Sequence, residues 1–114
     1  VRKLIATKSM RNEQVRKYKG LRYLGCWHND YITDLGIREM KRMRYLDCGG
    51  NRNMTAKGIE GMLRLRYLMC NGYQKMTVPR IRKMRRARKW RCERCVVRID
   101  DEMYEMKKVK CIES

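Results

Sequence analysis

The chain has 114 residues, 43% of them hydrophobic, and 30 basic side chains against 12 acidic ones give it a formal charge of +18. That is one domain's length with enough apolar material for a core, which excludes a disordered tail. The charge exceeds the roughly 2–8 that solubility asks for, so it favours a polyanionic partner such as nucleic acid, anionic lipid or an acidic protein surface.

The first twenty residues read as a degenerate opening unit. Val1 to Ala6 fills a first strand, and Met10, Val15 and Tyr18 stand 22 residues before Ile32, Ile37 and Met40. The clear pattern begins with Leu21-Arg22-Tyr23-Leu24-Gly25-Cys26. It returns as Met43-Arg44-Tyr45-Leu46-Asp47-Cys48 and as Leu65-Arg66-Tyr67-Leu68-Met69-Cys70. Ala87-Arg88-Lys89-Trp90-Arg91-Cys92 falls in the same register, and a partial copy runs from Val109 to Ser114. A constant step of 22 residues signals stacked supersecondary units. The units lie near 1–20, 21–42, 43–64, 65–86 and 87–108, with 109–114 as a fragment, all within one domain.

Within a unit, counted from Leu21, the fourth and sixth places are apolar (Leu24, Cys26), which is strand spacing. The seventeenth and twentieth are apolar too (Ile37, Met40), which is helical spacing. Each unit therefore reads as a strand, a turn, a short helix and a return. Thr33, Thr55 and Thr77 stand where a hydroxyl caps a helix start. Gly36 and Gly58 relax the backbone there, and Pro79 takes over near the third helix start. In the next unit Arg98 falls on an apolar place, so Val97 or Ile99 must turn in, and Met103 and Met106 restore the register.

LRYLGCWHNDYITDLGI and MRYLDCGGNRNMTAKGI fit L-x-x-L-x-C-x-x-N-x-x-I, a pattern that resembles the leucine-rich repeat over nearly the whole chain. The resemblance implies an α/β fold: a short curved solenoid with parallel strands on the concave face and short helices on the convex face. The Tyr-Leu-x-Cys flavour is similar to repeats of large DNA viruses and some protists. The family mostly binds other macromolecules.

Four of the six cysteines recur at the repeat period, so they are packing residues first, and a reducing compartment follows. Cys92-Glu93-Arg94-Cys95 is a C-x-x-C, half of a zinc site or a redox pair when taken alone. The further candidates, Cys111, His28 and the periodic cysteines, form no second close pair, so no metal or other cofactor is expected. His28 has no nucleophile or carboxylate at catalytic spacing and reads as a turn residue. The chain is not expected to be an enzyme.

Charge and aromatic character recur at the period as well. The second place holds Arg22, Arg44, Arg66, Arg88 and Lys110, and the third holds Tyr23, Tyr45, Tyr67 and Lys89. In a parallel stack these become two rows on or beside the concave face, and with Trp27 they form a candidate interaction face. The tyrosines stack on one another there, or they meet a ligand. The densest run is 79–94, nine positive charges against Glu93, with Arg80, Arg82, Lys83, Arg85, Arg86, Arg88, Lys89 and Arg91 as candidate anion or nucleic-acid contacts.

The expected function is a non-enzymatic structural or docking module of a large assembly, a viral capsid or a ribonucleoprotein. Its partners are other proteins of that assembly and RNA or DNA backbone. The alternative is an adaptor that takes a protein or peptide on the concave Tyr/Trp face. No apolar run spans a bilayer and no signal-peptide pattern opens the chain, so the expected location is intracellular or virion-internal, not secreted. Ser114 stops in mid-repeat, and a neighbour is expected to cover that open end.

Overall fold

A computed structural model describes residues 2–70, 76–87, 94–99 and 102–107. The elements are β1 (Lys3–Ile5), α1 (Asn12–Val15), β2 (Tyr23–Gly25), α2 (Asp34–Ile37), β3 (Tyr45–Asp47), α3 (Ala56–Ile59), β4 (Tyr67–Cys70), α4 (Val78–Ala87), β5 (Arg94–Ile99) and β6 (Glu102–Lys107). The strands form one six-stranded sheet in sequence order, parallel from β1 to β5 and closed by an antiparallel β5–β6 hairpin. The result is a mixed α/β fold with a mostly parallel sheet and four short helices among the described residues. None of those helices is long and apolar enough to cross a membrane.

The period sets the register. Tyr23 pairs with Tyr45 and Tyr45 with Tyr67, while Leu24, Leu46 and Leu68 stand side by side. Those leucines are fully buried, as are Leu21, Met43 and Leu65 of the first place and Ile32, Met54 and Met76 of the twelfth. Val15, Ile37, Ile59 and Ile81 come from the helices to close the same core. In β1 the spacing is shorter, with Leu4 opposite Leu24, so the off-register opening segment does supply the first strand.

Cys26, Cys48 and Cys70 are buried and form an interior row. Burial, with the Asp47 carboxylate beside it, pushes the Cys26 thiol far above the ordinary thiol range. Cys26 is therefore expected to resist iodoacetamide at neutral pH in the native protein and to react fully once unfolded. Alkylation followed by mass spectrometry checks this, and rapid native labelling of Cys26 would contradict its burial.

Each unit is tied to the next at its helix start. Thr33 caps α2 by accepting from the Leu35 amide, and Thr55 caps α3 by accepting from Lys57. The Thr33 backbone amide donates to Asn12 Oδ1 at 2.9 Å, and Asn12 Nδ2 donates to Thr33 Oγ at 2.8 Å. One unit on, Asp34 accepts from both the amide and the hydroxyl of Thr55. Gly36 and Gly58 serve this tie. Neither has a positive φ, so backbone relaxation is not their role. A Cβ at Gly36 would strike Asn12 Oδ1, and one at Gly58 would strike Asp34 Oδ1. Where Ala56 replaces the polar side chain, Arg80 stands at the glycine's place.

Gly58→Ala is therefore expected to cost about 1–3 kcal/mol, as overpacking does. In an Asp34→Ala background the same change should cost much less, and urea melts of the four proteins of that cycle measure the coupling. Equal costs in both backgrounds would contradict it. A different demand applies in the turns after β2 and β3: His28 and Gly50, at matching places, both adopt left-handed φ of 57° and 73°.

The unit at 87–108 does not follow the repeat. The strand beside β4 is β5, with Leu68 opposite Val97 and Cys70 opposite Ile99, 29 residues on instead of 22. The expected neighbours, Trp90 and Cys92, lie outside the described residues, as do Tyr73, Lys110 and the 109–114 fragment. The cause is α4, which runs for 10 residues where the earlier helices run for 4. Pro79 sits in its first turn, and Arg, Lys, Met and Ala continue it without a glycine. The strand that follows is rich in β-branched residues, and Val97 does turn fully inward. Met103 and Met106 belong to β6 and not to a helix, and Met103 is exposed.

Candidate polyanion interface

The second place of each unit is built by the backbone. Arg2 O accepts from the Arg22 and Tyr23 amides at 2.8 and 3.0 Å. Arg22 O does the same for Arg44 and Tyr45, at 2.8 and 2.9 Å, and Arg44 O for Arg66 and Tyr67, at 2.7 and 3.0 Å. Arg66 O then accepts from Val96 at 2.8 Å. Four arginines are thus held one strand apart, roughly 4.8 Å per step.

The side chains of Arg22 and Arg44 do not share the strand face with the tyrosines. Arg22 and Arg44 line a groove of about 320 Å³ with Lys41, Arg42, Gly61, Leu63 and Arg64 from the returning loops. Five cations line it and no carboxylate does. Arg22 and Arg44 therefore face the loop side, next to the tyrosine row and not mixed with it. The Arg2 guanidinium, then Arg44, partial desolvation, Arg42 and Arg64 all pull the Arg22 pKa below the usual arginine value. Every one of these neighbours is a like charge. On the helix side the charges are balanced instead: Asp34, Glu39 and Glu60 share a groove with Arg38 and Lys57.

Lys41, Arg42 and Arg64 were not singled out from sequence. The signal for the two arginines lay at the last place of the unit, where Arg42, Arg64 and Arg86 recur; Lys41 stands one place earlier. In α4, Arg80, Arg82, Lys83 and Arg86 are exposed, but Arg85 is only 8% exposed. Arg85 falls on the helical stripe of Ile81, and its long stem packs inward, which removes it from the anion-facing set. Arg88, Lys89 and Arg91 lie outside the described residues, as does the Cys92 half of the C-x-x-C. Nothing is described of the Cys95 side chain.

The third place is an aromatic ladder on the strand face. Tyr23 and Tyr45 have ring centroids 6.1 Å apart and tilted by 32°, and Tyr45 and Tyr67 are 6.2 Å apart and tilted by 33°. Lys3 Nζ lies 4.7 Å from the Tyr23 ring centroid. Trp27 is in the turn after β2, with the edge of its six-membered ring over Gly25, and is 38% exposed. Asp47 is half-buried on the same face. Desolvation raises its pKa, against the pull of the Gly49 amide and of the charges on Arg98 and His28.

Among the described residues no group of three or more His, Cys, Asp or Glu side chains is placed to hold a metal ion. The arrangement supplies fixed cations in a groove and a row of aromatic rings beside it. Fixed cations in a groove are suited chemically to a negatively charged group. No family model matches the chain, and no curated protein or solved structure matches it significantly.

Proposed function

We propose that the chain is a short leucine-rich-repeat solenoid serving as a non-enzymatic docking module of a larger assembly, a ribonucleoprotein or a capsid, and that its arginine side holds a nucleic-acid backbone. One observation carries the reading: five cations line a single groove, no carboxylate lines it, and Arg22 is depressed by four arginines around it. A row of like charges fixed by backbone hydrogen bonds costs stability in the free protein. A polyanion laid along it removes that cost and releases its own counterions. The exposed cations of α4 would add to the same attraction.

Salt dependence tests this. Binding to duplex DNA should weaken linearly on a plot of log affinity against log salt concentration. Arg22→Ala with Arg44→Ala should flatten the slope by about 0.9 for each arginine removed. Affinity that does not change between low and high salt, or a slope unmoved by the two substitutions, would refute the reading.

A further inference from the structure

We infer that the polyanion is a single-stranded nucleic acid, with its phosphates on the arginine row and its bases turned onto the tyrosine ladder; this rests on the polyanion reading just given. Each of β2, β3 and β4 opens on a tyrosine, and the residue just before it is an arginine. Because one arginine carbonyl takes the amides of both residues on the next strand, the two rows advance together, step for step. A strand that follows one row follows the other.

The tyrosines are not closed against each other. Separations of 6.1 and 6.2 Å lie in the upper part of the roughly 4.5–7 Å range of aromatic pairs, and tilts of 32° and 33° splay the rings. Tyr45 has a ring on either side and is still 43% exposed. At the outer end of the ladder the Tyr23 ring already takes a partner, the Lys3 ammonium at 4.7 Å. Every nucleobase has a π-face, so stacking on such rings is tolerant of sequence. A duplex keeps its bases stacked inside and offers the tyrosines nothing. An acidic peptide offers carboxylates to the guanidiniums but no row of flat rings. Only an unpaired strand uses both rows at once.

Fluorescence anisotropy on the full chain separates these cases, with a labelled oligothymidylate, a duplex of equal length and poly-glutamate of equal charge as probes. The single strand should bind most tightly. Tyr45→Ala should weaken it by about fivefold or more and leave the duplex unchanged, whereas Tyr45→Phe keeps the ring and the affinity. Arg44→Ala should weaken both nucleic acids. Thermal melts of the half-exposed Tyr45 variants check that the fold persists. If single strand and duplex bind alike and Tyr45→Ala alters neither, while Arg44→Ala still weakens both, the base contact is refuted and the arginine reading stands. Tighter binding of poly-glutamate assigns the face to an acidic protein and overturns the inference. Salt-insensitive binding of all three probes overturns the arginine reading itself.

Discussion

Replacing Asn29 by alanine should cost about 3–5 kcal/mol of folding stability, because it strands several backbone groups at once. Asn29 is fully buried. Its Nδ2 donates to Thr7 O at 2.7 Å and to Met10 O at 2.9 Å, which stitches the opening segment to the next unit. Its Oδ1 accepts from the Tyr31 and Ile32 amides at 2.8 and 2.7 Å, which shapes the turn after β2. A small domain is stable by only about 5–15 kcal/mol, so the loss is a large share of the whole. Asn51, at the same place one unit on, is also fully buried and donates to Ile32 O at 3.1 Å. Asn51→Ala should therefore destabilise too, but less, since fewer of its bonds span units. Urea denaturation with a common slope measures both. A cost below about 1 kcal/mol for Asn29→Ala would mean that water replaces the lost bonds and that the side chain does not organise the turn.

The interior rows were legible in the sequence because a fixed period puts equal places side by side, whatever residue fills them. Leu24, Leu46 and Leu68 needed no more than that. The register failed where the helix length changed. Nothing in the period announces that Val78–Ala87 continues as one helix and delays the next strand by seven residues. The signals were local: no glycine after Pro79, and a β-branched run at Val96, Val97 and Ile99. Arg85 was read as a surface charge because the run was counted for charge and not laid on a helix, where it shares a stripe with Ile81. The direction of the arginine row was hidden for a related reason. Arg22 precedes the first residue of β2, so it follows the loop and not the alternation of the strand. The partners it meets there, Lys41, Arg42 and Arg64, lie up to 42 residues away and belong to returns between units, which strand spacing cannot place. Gly36 and Gly58 show the same limit: what excludes a Cβ is a side chain of the preceding unit.

A binding face differs from mere net charge, and reversing charge at two matched pairs of sites separates them. In one variant Arg22 and Arg44 become Glu; in the other Arg52 and Lys57 do. Both start from +18 and lose the same four charges. Attraction set by total charge alone would weaken equally in the two. Attraction set by the groove would not, because Arg22 and Arg44 line it, whereas Arg52 is exposed in the turn after β3 and Lys57 shares the balanced helix-side groove with Asp34, Glu39 and Glu60. The groove pair also gains in the free protein, since each Glu relieves its cationic neighbours, so unfolding is not the expected reason for lost binding. Removing two phosphate contacts and adding two repulsive ones should lower affinity for a single-stranded oligonucleotide by on the order of a hundredfold at low salt. Anisotropy titration of the two variants, side by side at one salt concentration, should show that loss for Arg22→Glu/Arg44→Glu and only a several-fold loss for Arg52→Glu/Lys57→Glu; equal losses in the two would contradict a site on the arginine side.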